Sequence, residues 1–304
     1  MNDAYNNLLN TINGKFEYNG AYNVRKNGEV IDRNETENIK IISKKDLPGF
    51  DIYVKENTQN ETIDIPVILF DTSIKDVVYN DFHIGKGSNI TIIAGCGIHS
   101  ELDSDAEHDG IHRFYLEENC NVKYIEKHYA EGFGRGKKII SPVTEAHLKK
   151  NSVLEMETSQ IMGVDDAIRT TKAELDDNSK LIINEKIMTH DNQKAKTVFE
   201  VKLNGKKSSA EVSSRSVATG NSKQAFVSKV TGNNECFGHV ECDAIIKDKA
   251  KVTSTPKIVA NNIDAELIHE AAIGKIAKDQ IIKLMTLGFN KEKAERIILD
   301  GFMR

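Results

Sequence analysis

The chain has 304 residues, 39% of them hydrophobic and 29% charged, with a formal net charge of −5, which suits a globular chain with a continuous apolar core. The acidic balance and the absence of Trp argue against a nucleic-acid footprint, which needs clustered Lys and Arg or broad aromatic platforms. No apolar run approaches the ~18 residues of a membrane helix, no signal-type segment opens the chain, and four unevenly spaced cysteines make no disulfide framework, so a reduced cytoplasmic protein is expected.

In chain order, Ala4 to Ile12 carries a weak helical pattern ending at Asn13-Gly14. Residues 15–60 are polar, with Asn-Gly at 19–20 and 27–28 and Pro48-Gly49, and read as short strands and turns; residues 1–62 are taken as a helix and small α/β cap. Residues 63–268 hold short β-rich stretches and one recurring phrase: apolar, three mostly polar or Gly residues, a small residue, one more, apolar. It occurs as Ile84–Ile90, Leu116–Val122, Leu148–Leu154, Leu175–Leu181 and Ile246–Val252, with a degenerate copy at Leu203. From Ile84 to Leu203 successive starts lie 32, 32, 27 and 28 residues apart, and period-two alternation follows several copies. A recurring turn and strand at this period is what a β-solenoid requires, because each coil buries its inner face only by stacking on its neighbours. A two-sheet β-sandwich with similar turns is the alternative. Residues 269–304 form a helical tail. Ala277 to Leu287 is followed by Gly288, and Asn290 caps a second helix from Lys291 to Leu299 that ends near Gly301. The pair can close the open end of a solenoid, and it can also offer an apolar groove to another protein.

Cys120 occupies the small position filled by Ser88, Ser152, Ser179 and Ala250 in other copies, so it reads as a packing thiol. Cys242 lies 27 residues before His269, an interval close to the repeat. Residues one coil apart stand on adjacent strands ~4.8 Å apart, so thiol and imidazole are candidate stacked neighbours with the chemistry to bind iron or zinc. Alternation puts His269 and Glu270 on opposite faces, so only one faces Cys242 unless a bulge intervenes. The plainer alternative is a buried thiol and a hydrogen-bonded His. A second cluster, Gly95-Cys96-Gly97-Ile98-His99 followed by His108-Asp-Gly-Ile-His112, sets imidazoles at both ends of an acidic loop. Cys-x-x-His is half of a metal site, but no second half completes a zinc pattern, and a turn with surface histidines fits equally. Cys236, six residues before Cys242, shares its strand face. Gly132-Phe-Gly-Arg-Gly136 lacks the context of a phosphate loop and reads as a flexible loop.

Glu241-Cys-Asp-Ala-Ile-Ile, Pro256-Lys-Ile, Asp264 to Ile276, Asp279 to Phe289 and the closing Gly301-Phe resemble the C-terminal signature of the SufB/SufD family, over about residues 235–304. Ala94-Gly-Cys-Gly-Ile-His and His108-Asp-Gly-Ile-His-Arg-Phe resemble its short archaeal and anaerobe branch. The resemblance implies a mainly β fold: a right-handed parallel β-helix with a small N-terminal α/β region and a C-terminal helical segment. It also implies a scaffold for iron–sulfur cluster assembly rather than an enzyme, with the nascent cluster as a transient cofactor. The implied partners are a second copy, joined through the β-helix, and a SufC-type ABC ATPase that holds the ATP site. A sulfur donor and apo acceptor proteins complete them, with no nucleic acid or membrane. Cys242 matches the cysteine that receives sulfur or holds the nascent cluster, His269 the assembly-site histidine, and Glu270 the acidic residue beside it. Cys96 is expected to join Cys242 as a further ligand. Ile281, Leu284, Met285, Phe289, Ile298 and Phe302 are the candidate ATPase contacts. The sequence departs from the bacterial pattern in a stretch from Cys242 to Pro256 that is one residue shorter, and in Ala250, near where those proteins often have another cysteine. Both count against a sulfur relay inside the β-helix. Alternatives outside the family are a β-solenoid enzyme acting on polysaccharide and a structural solenoid that binds a protein through its C-terminal helices.

Overall fold

The computed structural model describes residues 3–14 and 20–303; Asn19 of the expected Asn19-Gly20 turn lies outside the described residues. Helix α1 (Asp3–Asn13) is followed by two antiparallel hairpins, β1 (Ala21–Lys26) with β2 (Glu29–Asn34) and β3 (Ile39–Ser43) with β4 (Gly49–Val54). After β5 (Gln59–Asp64) and β6 (Val67–Phe70), long strands alternate between two parallel sheets. One sheet takes, in order, β8 (Asn89–His99), β10 (Asn121–Glu131), β13 (Val153–Met162), β15 (Lys180–Thr189), β17 (Ser208–Ala218), β19 (Cys236–Ile246) and β21 (Ala265–Gly274). The other takes β7 (Lys75–Ile84), β9 (Ala106–Leu116), β11 (Lys138–Ile140) with β12 (Val143–Leu148), β14 (Asp166–Leu175), β16 (Lys194–Leu203), β18 (Lys223–Gly232) and β20 (Lys251–Ala260). Helices α2 (Lys278–Thr286) and α3 (Lys291–Phe302) close the chain. The fold is a parallel β-solenoid, so the sandwich alternative is set aside. Residues 1–62 do not form a separate cap: β4 and β5 already pair parallel with β7 and β8, and β21 carries the solenoid on to Gly274.

Strict alternation builds the interior. Along β9 every second residue from Ala106 to Leu116 is buried, and β10 and β15 follow the same rule. Phe82 and Phe114 stack at 4.7 Å on adjacent coils, and Tyr124 meets Phe114 edge-on at 5.0 Å from the facing sheet. The recurring phrase marks corners. Gly87, Asn119, Asn151 and Asn178 take positive φ, which Gly and Asn tolerate best, and the small residue that follows turns inward. There Ser152 Oγ donates to Glu117 O at 2.6 Å, and Cys120 Sγ meets Gly85 O at 3.2 Å. Cys120 thus serves as a corner residue, in the serine role.

The Gly132–Gly136 segment is not a loose loop. Its glycine amides donate to the coil before it, Gly134 N to Ser100 O and Gly136 N to Leu102 O, and a Cβ on either residue would fall 2.0–2.1 Å from a backbone oxygen of that coil. Helix α1 lies on the outer face of β8. Gly95 and Gly97 make room for it: a Cβ there would come within 2.9 Å of Ile12 and of Leu8.

The helical tail does not cover the open end. Instead α2 and α3 flank the corner after β19, where Lys247 Nζ meets Glu295 Oε2 at 2.8 Å, and Asn290 caps α3 through Lys293 N at 2.8 Å. The final coil, β20 and β21, therefore keeps inward-facing side chains half exposed, Ile258 and Ile273 among them. Phe114→Ala removes a ring packed between two others and should cost about 3–5 kcal/mol, read as a lowered urea midpoint.

Candidate functional site

The expected pair stands on neighbouring strands, but in a different register. Val240 lies beside His269, and Cys242 beside Ala271, because the step between β19 and β21 is 29 residues rather than 27. Cys242 and His269 still share the inward face, as diagonal neighbours about 8 Å apart by strand spacing and rise. Glu270 does not join them: it points outward, 3.4 Å from His239 Nε2. Cys236 shares the inward face with Cys242 but lies six residues away along the strand, about 20 Å.

Burial pushes the Cys242 thiol up to about 11; Ser254 beside it pulls the other way and the Glu185 charge adds to the rise. The side chain therefore rests as a thiol, and a metal must displace its proton. Burial also lowers the His269 pKa, with His239 adding to it, so the imidazole is neutral. Both His269 ring nitrogens and Ser254 Oγ are buried without a protein hydrogen-bond partner. A thiol, a free imidazole and an orphan hydroxyl suit a soft or borderline metal such as iron. Among the described residues no group of three or more His, Cys, Asp or Glu side chains is arranged to hold a metal ion, so one chain offers half of a ligand set.

Cys96 is not a ligand of this centre in the same chain. It lies on β8, separated from β19 by β10, β13, β15 and β17, about 24 Å in strand spacings. Nor do Cys96 and His99 make a half-site. Cys96 faces inward, whereas His99 faces outward, stacked on Phe70 at 4.5 Å and 3.1 Å from Glu131. His108 and His112, expected at the surface, are buried inside.

What the sequence reading missed is a buried polar file joining the two thiols. Across one sheet Glu126, Thr158, Glu185, Ser214 and Cys242 occupy a single inward row, each beside the next. From the facing sheet Arg169 pairs with Glu126, reaches His128 Nδ1 at 3.2 Å and lies 3.6 Å from Glu185. Glu185 accepts from Thr197 at 2.9 Å and Ser214 at 2.7 Å. Burial opposes ionisation of Glu126, but Arg169 and His128 more than offset it and hold the carboxyl well below the usual range. The signal was present: polar residues recurring at inward parity in successive coils become visible once register is known.

Ile281 and Met285 line an apolar groove of about 400 Å³ between the helices and the corner, together with Ile282, Leu299, Ile245 and Ile246. Leu284, Phe289, Ile298 and Phe302 are half-buried and do not line it.

A family model described as SUF system FeS cluster assembly, SufBD core domain, matches residues 78–302. An iron–sulfur cluster assembly SufBD family protein of Pyrococcus horikoshii is 27% identical over 262 residues, covering 84% of this chain and 57% of that protein. A second from that organism is 27% identical over 281 residues, covering 87% and 84%. One from Methanothermobacter thermautotrophicus is 26% identical over 237 residues, covering 77% and 56%. The chain thus spans little more than half the length of the first and third of these relatives.

Two predictions follow from the buried charges. Arg169→Met strands Glu126 unpaired and should destabilise the fold by about 3–5 kcal/mol in urea unfolding. Burial holds His112 neutral, with its pKa depressed from 6.5 to about 4. Stability linked to it is complete above pH 6.5 and is lost as pH falls toward 4, so His112→Gln should flatten that decline by on the order of 1–3 kcal/mol.

Proposed function

The chain belongs to the SufBD family of the SUF iron–sulfur cluster assembly system, and from that premise we propose that it is the scaffold on which a nascent cluster is built and passed on, working in the cytoplasm as a homodimer with a SufC-type ABC ATPase. The observation that carries the reading is the half-site at the open coil: Cys242 and the unpartnered His269 face inward one strand from an unpaired sheet edge. Edges of β20 and β21 are ready templates for a second copy, and a twofold meeting there brings two thiols and two imidazoles together. Iron and sulfide are the cargo. Cys242 gives up its proton as it binds iron, and His269 supplies a neutral nitrogen. Glu270 and His239, outside the same strands, serve the approach or release of cargo.

The polar file supports carriage of sulfur between Cys96 and Cys242 inside the solenoid. Ala250, whose identity counted against such a relay, belongs to the corner between β19 and β20 and not to the file. The ATPase is assigned to the α2–α3 groove through Ile281 and Met285, with Leu284, Phe289, Ile298 and Phe302 supporting the helix pair. ATP hydrolysis in that partner drives exposure of the cluster, which apo acceptor proteins then take; a separate donor supplies sulfur. Family membership replaces the polysaccharide reading.

Anaerobic reconstitution with iron and sulfide tests the site. Cys242→Ala should lower the visible charge-transfer band and iron affinity by about tenfold or more, and His269→Ala should do the same. A band that forms equally well in Cys242→Ala shows that the site lies elsewhere. Truncation after Ile276 should abolish co-purification of the ATPase; retention after truncation rules out the groove.

A further inference from the structure

The other end of the polar file holds a constellation that cluster ligation does not use. Cys96 lies on β8 among Leu69, Ile98, Ala130, Ile140 and Val164, an apolar setting in which a lone thiol stays protonated. Yet its polar neighbours are ordered toward it. His108, on β9, is held through Nδ1 by Asp76 Oδ2 at 3.0 Å. Asp76, on β7, is in turn held by Arg25 of β1 at 3.0 Å, and Arg25 Nη2 also donates to Gly28 O at 2.7 Å. That leaves His108 Nε2 buried with no other hydrogen-bond partner, on the side facing the thiol. His128, on β10, accepts from Arg169 at Nδ1, so in its neutral form its proton sits on Nε2; that atom is also buried without a geometric partner and is directed at Cys96. Gly110, between His108 and His112, keeps the space open: a Cβ there would meet His112 Nε2 at 3.1 Å and His108 Nε2 at 3.4 Å.

We propose that Asp76 and His108 are positioning residues that hold Cys96 as a thiolate–imidazolium pair, giving the chain a built-in nucleophile remote from the cluster half-site. The arrangement follows the logic of a Cys–His–Asp triad, in which the carboxylate fixes the ring and the ring's distal N–H stabilises the sulfur anion. Charge balance supports it. The groups facing this space are Arg25, Asp76, His108, His112, Tyr124, Glu126, His128, Arg169 and, one coil further, Glu185. Of these, His112 is neutral and Tyr124 stays protonated because burial raises its pKa. Arg25, Arg169 and imidazolium His108 then face Asp76, Glu126 and the Cys96 thiolate, three cations against three anions. Glu185 and His128 form the remaining pair, matched when both are ionised or both neutral. Burial alone raises a thiol, but His108 and His128 outweigh it and bring Cys96 down to about 7, while Cys96 and Asp76 lift His108 to about 10 against its own desolvation. A thiolate is the form that attacks sulfane sulfur, so the pair gives the sulfur-carriage reading its entry point and for that use rests on it.

The test needs no cluster. The far-ultraviolet thiolate absorbance of the full chain, minus that of Cys96→Ser, should titrate with a midpoint near 7. In His108→Gln and Asp76→Asn the midpoint should rise by about one pH unit or more, and Asp76→Glu should restore it. A wild-type thiol that ionises only near its ordinary value of 9.0, or a midpoint unchanged in His108→Gln, overturns the proposal. If these variants fail to fold, the wild-type titration decides alone, read with nitrogen NMR of labelled histidine. A histidine that stays doubly protonated after the exposed histidines have titrated supports the pair, and its absence overturns it. Failed cluster reconstitution with a low-titrating Cys96 would remove the scaffold reading and leave this pair standing.

Discussion

Everything in this molecule depends on one constraint: in a stack of parallel coils, each inward side chain lies over the same position of the coil before. A residue's neighbours are fixed less by its own strand than by coil length. Apolar rows then build themselves, as Phe82 over Phe114 does. A polar residue in such a row is sealed from water and must find its partner within the interior. Glu126, Arg169, Glu185, Thr197 and Ser214 meet that demand by completing one another. The cost of burying them is offset only while the whole network is present, and for this reason they run as a continuous file and not as scattered pairs.

The same constraint explains what could be read from residues alone. The corner phrase was legible because a turn with positive φ demands Gly or Asn and the next position demands something small; Cys120 was assigned correctly on that ground. The helical tail was legible from Asn290, whose side chain can do one local thing well. The face shared by Cys242 and His269 was legible from parity. Their register was not, since coils of 32 and of 27 to 29 residues coexist and a shift of two residues preserves parity while changing the neighbour. Cys96 with Asp76 and His108 was illegible for a stronger reason. These residues belong to facing sheets, and only folding brings the end of β8 against the start of β9.

The two thiols occupy opposite electrostatic settings. Cys96 is surrounded by histidines with free nitrogens, whereas Cys242 has only a hydroxyl, a distant carboxylate and a neutral imidazole nearby. One is prepared before anything arrives; the other waits for a cation to remove its proton. Sulfur chemistry at the first and metal chemistry at the second fit that division, and the file between them keeps both in one water-excluded compartment.

The uncovered last coil has a mechanical meaning. In a one-dimensional stack an internal coil is held by two neighbours and a terminal coil by one, so opening should begin where a neighbour is missing. At the start of the solenoid α1 and the two hairpins brace the stack. At the other end β20 and β21 carry only their inner contacts. The chain is therefore graded in compliance, rigid around Cys96 and soft around His269. A force applied through the α2–α3 corner would be felt first by the coil beside Cys242, so the hinge for release lies within the solenoid itself.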